Sequence, residues 1–246
     1  MKDCADWIRP DWPAPPNVHA LVTTRNGGVS APPWDTLNPA THVGDDPAAV
    51  AENRRRIRTL GGLPSEPLWL SQVHGSTVAD DGRVGQEIPA DGRITRRPGR
   101  VCAVLTADCL PVLLCNRQGT AVAALHAGWR GLAAGVLEAG VAAFAQPPEE
   151  LLAWLGPCIS QAAYEVGAEV HAALLRGDPG AGAAFLPTAP GRWRLDLEGL
   201  ARHRLARAGV RALFGGGFCT FGAPDRFFSH RRDGTCGRLA SLVWFS

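Results

Sequence analysis

Three stretches of hydrophobic residues each lead into a side chain that binds metals or acts as a nucleophile. These stretches and the residues that follow them are 68–73 with His74, 101–106 with Cys109, and 120–125 with His126. Short apolar runs bounded by turn-forming residues are typical of buried strands. Because a buried strand has little structural need for a polar side chain at its end, the pattern indicates a functional site built from three strand ends.

The alternation of apolar and polar positions also predicts the remaining elements. Strands are predicted at residues 19–24, 68–73, 101–106, 112–115, 120–125, 151–155, 210–214 and 239–245, and helices at 47–61, 130–144, 166–175 and 196–208. We predict an extended arm over residues 7–16 and a loop over residues 80–99. Strands in runs between long helices favour an α+β or mixed-sheet α/β fold. Because no internal repeat or linker divides the sequence, we predict one domain spanning residues 1–246.

Two of the predicted helices carry signals at both ends. Asp46-Pro47 combines a favourable N-cap residue with proline in the first turn, and the glycine pair 61–62 ends that helix. Asp196 opens the last helix, and Gly209 closes it.

A glycine pair after the first predicted strand is a candidate anion site. Gly27 and Gly28 permit a tight turn whose amides converge, and Arg25 precedes them. The guanidinium group of an arginine can form two parallel hydrogen bonds to phosphate or carboxylate. A plain turn after a strand explains the same residues, and the pattern alone favours that simpler interpretation.

Cys109 is compatible with three roles. Its thiolate can bind zinc together with His74 and His126, and three protein ligands with a fourth position open to water are typical of catalytic zinc sites. Alternatively, Cys109 is a nucleophile that uses His126 or His74 as its base. A buried core thiol is the third interpretation. The residues alone leave all three open.

The other cysteines and histidines limit the alternatives. None of the seven cysteines forms a C-x-x-C pair, which disfavours a structural zinc knuckle, and the P-C-x-x-C segment of zinc deaminases is absent. Only seven histidines occur, and none forms a His-x-His pair. A multicopper centre within this chain is therefore disfavoured.

Composition and charge exclude several classes of partner. The chain has 246 residues, of which 46% are hydrophobic and 20% charged, with a formal net charge of +2. These values are ordinary for a globular protein and give no reason to expect nucleic-acid binding. Acidic residues near the N-terminus do not fit a signal peptide, and no apolar run is long enough to span a bilayer. We expect a cytoplasmic protein with reduced thiols that does not bind membranes.

Several ordered motifs make the sequence similar to the YfiH/DUF152 family, also called laccase-domain or polyphenol-oxidase-like proteins. The resemblance covers nearly the whole chain. The motifs are Thr24-Arg25-Asn26-Gly27-Gly28-Val29-Ser30, Ser71-Gln72-Val73-His74-Gly75, Thr106-Ala107-Asp108-Cys109-Leu110-Pro111, His126-Ala127-Gly128-Trp129-Arg130-Gly131, Gly156-Pro157-Cys158-Ile159, Tyr164-Glu165-Val166-Gly167 and Phe227-Phe228-Ser229-His230-Arg231-Arg232-Asp233-Gly234.

The resemblance implies a fold, a metal and two reactions. The implied fold is a four-layer αββα sandwich with mixed sheets, and His74, Cys109 and His126 match the zinc ligands of the family. The implied reactions are the phosphorolysis of adenosine, inosine, guanosine and S-methyl-5′-thioadenosine to base and sugar-1-phosphate, and the hydrolytic deamination of adenosine. The expected partners are therefore small purine nucleosides and phosphate, bound by a monomer or a homodimer.

Further residues in these motifs are candidates for the site. We expect Arg25, Gln72 and Arg231 to bind substrate or phosphate. Asp108, next to a ligand, is predicted to support that ligand or to transfer protons, although a cap at the strand end is equally consistent with its position.

Two residues depart from the family pattern, and three other functions stay open. His230 replaces a tyrosine, and Cys236 interrupts a Thr-Gly-Arg motif. The alternatives are a cysteine hydrolase, a copper-binding oxidoreductase of the polyphenol oxidase type, and a zinc-stabilised module without activity. The ligand set does not decide the metal, because two histidines and a cysteine bind Cu²⁺ as well as Zn²⁺.

Overall fold

The structure, a computed structural model, describes residues 6–81 and 86–246. The helices are α1 (Pro47–Gly61), α2 (Trp129–Ala134), α3 (Val136–Ala143), α4 (Ala168–Leu175), α5 (Leu197–Arg207) and α6 (His230–Asp233). Within these ranges, none of the helices has the length and apolar character that a bilayer span requires.

The strands are β1 (Val18–Val22), β2 (Leu70–Ser71), β3 (Val78–Asp80), β4 (Ile88–Pro89), β5 (Gly92–Thr95), β6 (Cys102–Thr106), β7 (Leu110–Asn116), β8 (Val122–Ala127), β9 (Leu151–Leu155), β10 (Glu165–Gly167), β11 (Phe185–Ala189), β12 (Arg192–Leu195), β13 (Ala212–Gly215) and β14 (Leu239–Phe245). Six of them form a mixed sheet in the order β13-β9-β7-β8-β5-β3. β1, β14 and β6 form an antiparallel sheet.

Strand β14 shows how the two sheets stack. Val243 and Phe245 belong to an apolar cluster that also contains residues from β7, β8 and β9 of the six-stranded sheet. Leu242 and Trp244 point the opposite way, into a cluster that contains Ile57 of α1. Because successive side chains of a strand alternate between faces, this strand is buried on both sides. The three-stranded sheet therefore lies between α1 and the six-stranded sheet.

The other face of the six-stranded sheet carries the remaining large helices. Val112 and Leu114 of β7 contribute to a third cluster, which includes Leu137 of α3, Val170 of α4 and Leu200 of α5. Three apolar interfaces thus separate four layers in the order helix, sheet, sheet, helices. This is the expected mixed α/β fold, a four-layer αββα sandwich.

Several element boundaries agree with the sequence patterns. The predicted strands 151–155 and 239–245 coincide with β9 and β14. Asp46 caps α1 through a bond from the Ala48 amide, and Asp196 caps α5 through a bond from the Gly199 amide. These caps satisfy amides that lack partners within the first helical turn.

Other predictions were wrong. The predicted helix 130–144 is two helices, because Gly135 adopts a φ of 88° and ends α2. The described part of the predicted loop 80–99 contains β4 and β5, and residues 82–85 of that prediction lie outside the described ranges. The Asp91-Gly92 pair signals a turn in sequence, but Gly92 lies in β5, where a Cβ atom would meet the side chain of Leu125 at 2.6 Å. The hairpin of β11 and β12 was not predicted.

Candidate metal centre

The three predicted ligands come together. Suitable ligand atoms of His74, Cys109 and His126 all lie within 4.8 Å of one another. The two imidazole rings meet edge to face with their centroids 4.7 Å apart. His126 is buried, Cys109 is partly buried and His74 is exposed, so the group opens to solvent on the His74 side.

The strand register explains why Cys109 and His126 are neighbours. Strands β7 and β8 are antiparallel, and Pro111 pairs with His126 while Leu110 pairs with Ala127. Cys109 directly precedes β7 and therefore lies beside Gly128, which directly follows β8. A Cβ atom at Gly128 would lie 2.8 Å from Sγ of Cys109, so the close approach requires a glycine there.

Asp91 organises both histidines. Its Oδ1 lies 2.8 Å from Nδ1 of His126 and accepts the backbone amide of His74 at 2.9 Å. Its Oδ2 accepts the amides of Gly75 at 2.6 Å and Val73 at 3.2 Å. His74 has a φ of 62°, a left-handed conformation that this set of bonds holds in place.

The charge state of Asp91 fixes the tautomer of His126. Burial raises the pKa of the Asp91 carboxyl, but hydrogen bonds from His126 and from the amides of Gly75 and His74 outweigh burial and lower it below its ordinary value. An ionised Asp91 accepts a proton-bearing Nδ1, which leaves Nε2 of His126 as the ligand atom. A carboxylate behind a ligating histidine is a common arrangement in metal sites.

The same residues favour the thiolate form of Cys109. Burial alone raises the pKa of its thiol, but the charge of His126 and hydrogen bonds from His126 and His74 outweigh it, and the pKa is lowered. The thiolate is the form of cysteine that binds metals and attacks electrophiles. The arrangement is therefore compatible with metal binding by Cys109 and with nucleophilic attack by Cys109.

A cavity of about 270 Å³ opens at these ligands. Besides the ligands it is lined by His42, His230 and Arg238, together with Gln72 and the end of β6. His230 Nδ1 lies 2.7 Å from the carbonyl oxygen of Gly234, to which it donates a hydrogen bond when protonated at that nitrogen. His42 and Arg238 were not predicted as site residues: His42 lies in none of the motifs, and no role was assigned to Arg238, which ends the Thr-Gly-Arg motif that Cys236 interrupts.

Gln72 supports the wall of this cavity. Its Nε2 donates to the Leu105 carbonyl oxygen at 2.8 Å, and its Oε1 accepts the Leu105 amide at 2.7 Å. The side-chain amide thus pairs with the backbone of β6 as a neighbouring strand would. This pairing fixes the segment that leads from β2 to His74.

Asp108 faces away from solvent and joins the site to α6. Its Oδ1 accepts the Thr220 hydroxyl at 2.6 Å, and its Oδ2 accepts the Arg231 amide at 2.7 Å. Its φ of 89° is left-handed. Both carboxylate oxygens therefore hold polypeptide segments in position next to Cys109.

Arg25 lies in a network of its own. Its guanidinium forms an ion pair with Asp35 at 3.1 Å and donates to the Asp35 and Pro224 carbonyl oxygens. The amide of Gly28 in the predicted anion turn donates to the Thr36 hydroxyl. Binding of phosphate by Arg25 thus requires that these internal bonds open.

Comparisons with known proteins identify relatives over nearly the whole chain. A family model described as multi-copper polyphenol oxidoreductase laccase matches residues 19–246. A Pseudomonas aeruginosa protein named purine nucleoside phosphorylase is 55% identical over 241 residues, which cover 97% of this chain and 98% of the relative. Purine nucleoside phosphorylase YfiH of Escherichia coli is 53% identical over 238 residues, covering 96% of this chain and 98% of the relative.

Solved structures have the same fold. A Neisseria meningitidis protein assigned to DUF152 superposes with a TM-score of 0.94 at 48% identity, covering 98% of this chain and 99% of that one. The chain belongs to the YfiH/DUF152 family. YlmD from Geobacillus stearothermophilus gives a TM-score of 0.93 at 30% identity, covering 100% of this chain and 98% of that one. Membership of the YfiH/DUF152 family and its mixed α/β fold are thereby confirmed.

The names of the relatives and the description of the family model refer to different activities. The relatives carry the name of a phosphorolytic enzyme, whereas the family description names copper chemistry. All seven histidines lie in the described ranges. Among the histidines, cysteines and carboxylates of those ranges, one group of three could hold a metal ion, and it consists of His74, Cys109 and His126. This group can bind one ion, but it does not provide the additional ligands of a multicopper cluster.

Proposed function

We propose that this chain is a zinc-dependent purine nucleoside phosphorylase that also deaminates adenosine. The observation that supports it most is the group of two histidines and one cysteine at an open cavity, in a chain whose relatives are named purine nucleoside phosphorylases. The proposed substrates are adenosine, inosine, guanosine and S-methyl-5′-thioadenosine together with phosphate. The products of phosphorolysis are the free base and the sugar-1-phosphate.

The donor set fits zinc. Imidazole nitrogens and a thiolate are the ligands zinc prefers, and three of them leave room for a substrate or water. Zinc bound there would supply Lewis acidity and lower the pKa of a water molecule to about 7. Copper is the alternative ion for the same ligands.

The chain's own residues prepare this site. Asp91 keeps a proton of His126 on Nδ1, so that Nε2 is the nitrogen left to bind the ion. Gly128 leaves the space that the thiolate needs. Because these groups are held by backbone and carboxylate bonds, the ligands are arranged before the ion binds, and little reorganisation is needed.

The cavity suits a small polar substrate. Its volume of about 270 Å³ is slightly below the roughly 300–1,000 Å³ typical of ligand sites. Arg238, His42 and His230 line it, and we propose that they form hydrogen bonds with the purine or the ribose. Gln72 would contribute to substrate binding indirectly, by supporting the cavity wall. Asp108 would contribute by holding α6 in position.

A reducing compartment is part of the proposal. Cys109 binds metal only as a reduced thiolate. The six cysteines of the described ranges are all free. We therefore propose that the enzyme works in the cytoplasm, on small molecules and without nucleic-acid partners.

A cysteine hydrolase is the second candidate. The lowered pKa of Cys109, produced mainly by His126 against the effect of burial, is also what a cysteine nucleophile requires. That mechanism predicts a covalent adduct on Cys109 during turnover and activity in metal-free protein.

Product analysis tests the proposal. Adenosine is incubated with protein of known zinc content, with and without phosphate, beside a Cys109→Ala variant. We expect adenine only when phosphate and zinc are present, inosine in either buffer, and neither product from the variant. Turnover by the metal-free protein with an adduct in its intact mass would instead support the hydrolase. If zinc-loaded protein releases no purine product, the proposed function is wrong.

A further inference from the structure

A second cavity, of about 370 Å³, adjoins the metal centre and is rich in arginine. Its lining includes Arg130 from α2, Arg192 from β12 and Arg231 from α6, together with Tyr164 and two glutamates. Three elements far apart in sequence thus direct cations to one cavity. With the two carboxylates counted, the formal charge of the lining is +1.

Within residues 6–81 and 86–246, none of these three arginines forms an ion pair. Arg130 stacks over the ring of Trp129 at 4.4 Å, and Arg231 stacks over Tyr164 at 5.1 Å. Arg231 donates one Nη1 hydrogen bond to the Glu165 carbonyl oxygen. Stacking fixes the plane of a guanidinium but uses none of its N–H donors, so most of these donors are free to bind an oxyanion.

Some residues that line the arginine cavity are chain neighbours of residues at the metal cavity. His230 lines the metal cavity, while the next residue, Arg231, lines the arginine cavity. Arg130 lies two residues after Gly128, which packs against Cys109. Asp108, the neighbour of Cys109, holds the Arg231 amide at 2.7 Å. An anion bound by Arg130 and Arg231 would therefore lie next to the metal centre.

We propose that this arginine cavity binds the inorganic phosphate consumed in phosphorolysis, with Arg130 and Arg231 as its main ligands and Arg192 contributing further positive charge. The inference rests on the proposed function. A phosphate oxygen forms a bond to C1′ of the nucleoside as the C1′–N9 bond breaks. The electron pair of that bond leaves with the purine, which takes up a proton from solvent. The reaction requires no oxidant or reductant.

This assignment differs from phosphate binding by Arg25. Arg25 already forms an ion pair with Asp35, and binding phosphate there would break it. Arg130 and Arg231 have no such competitor among the described residues. The arginine cavity is therefore the better site for an anion at the metal centre.

Phosphate binding and kinetics test the inference in Arg130→Gln, Arg231→Gln and Arg130→Lys, with Arg211→Gln as a control at an exposed arginine outside both cavities. The zinc-loaded protein is titrated with inorganic phosphate in a calorimeter, and KM for phosphate and adenosine is measured separately. We expect both Gln variants to weaken phosphate binding at least about tenfold, since each loses charge-assisted hydrogen bonds. Their KM for phosphate should rise far more than their KM for adenosine. Arg130→Lys should be intermediate, and Arg211→Gln should match the wild type.

The outcomes separate the two proposals. Phosphate binding that the Gln variants lose, in a protein that does not cleave nucleosides, supports the phosphate site and contradicts the proposed function. Nucleoside cleavage with the same phosphate affinity in Arg130→Gln and Arg211→Gln supports the function and overturns the phosphate site. If the wild type binds no phosphate, the inference is also overturned.

Discussion

Asp91 and His126 form a hydrogen bond within the candidate metal centre: Oδ1 of a fully buried carboxylate lies 2.8 Å from Nδ1 of a buried imidazole. The same carboxylate binds the backbone amides of Val73, His74 and Gly75. One side chain thus sets the tautomer of one ligand and the backbone position of another. Asp91 therefore positions two of the three candidate ligands.

Replacing Asp91 should weaken metal binding without removing a ligand. For Asp91→Asn we expect the zinc affinity to fall about 10–100-fold, the usual effect of losing a partner behind a ligating histidine. Competition with a chromophoric chelator measures this affinity. Asp225→Asn, at an exposed carboxylate, is the matched control. Equal affinities in the two variants would show that Asp91 does not organise the site.

A methyl group at Gly128 should displace Cys109. The added Cβ would lie 2.8 Å from Sγ of Cys109 and 3.5 Å from Cδ2 of His74. The φ of Gly128 is −72°, which alanine adopts without strain, so the fold should persist. We expect Gly128→Ala to lose zinc binding while its circular dichroism spectrum is unchanged. Gly182→Ala adds a methyl group where nothing lies within 4 Å, and it should bind zinc like the wild type.

Asp178 does not belong to the metal centre, and it should make the free energy of unfolding depend on pH. Burial raises the pKa of this carboxyl, but His203, Arg207 and Arg204 outweigh burial and lower it. The ionised carboxyl therefore contributes fully to the free energy of unfolding above the ordinary aspartate pKa of about 4. This contribution is lost as the pH falls from there toward the lower pKa of the folded protein. We expect Asp178→Asn to lose about 1–3 kcal/mol of unfolding free energy at pH 7.

Urea unfolding at several pH values checks this prediction. The difference between Asp178→Asn and the wild type should be present at pH 6 and should shrink below about pH 4. A difference that is the same at pH 3 and pH 7 would contradict the assigned ion pairs.

Asp108 should position α6 rather than transfer protons. Both of its carboxylate oxygens accept hydrogen bonds, from Thr220 and from the Arg231 amide. We expect Thr220→Val and Asp108→Asn both to raise KM for phosphate, since each loosens the segment that carries Arg231, with the larger effect in Asp108→Asn. The pH dependence of kcat should keep its shape in both variants. A lost ionisation in Asp108→Asn alone would assign proton transfer to this residue.

The three candidate ligands were predictable as a group because each one follows an apolar run. Strands β7 and β8 are short, fully buried and adjacent in sequence, so their antiparallel pairing brings Cys109 and His126 together. His74 was predicted from the same pattern, although its strand is only Leu70–Ser71. For these three residues, the local sequence pattern and the tertiary contacts indicate the same site.

Asp91 was not predictable in the same way. Its Asp-Gly pair is a strong turn signal, and its role depends on contacts with residues 73–75 and 126 that only the fold creates. Arg130 was assigned to a helix without a function for a similar reason. The cavity that it lines is formed with residues about 60 and 100 positions later in the chain, Arg192 and Arg231.

The most direct test of the central claim is phosphorolysis of inosine as a function of added zinc. Inosine cannot be deaminated again, and hydrolysis does not need phosphate, so the phosphate-dependent release of hypoxanthine reports phosphorolysis alone. We predict that metal-free protein is inactive, that phosphate-dependent release rises linearly to a plateau at one zinc per chain, and that Cys109→Ala stays inactive throughout. Hypoxanthine release that is independent of zinc, or that survives in Cys109→Ala, would contradict a metal centre built from His74, Cys109 and His126.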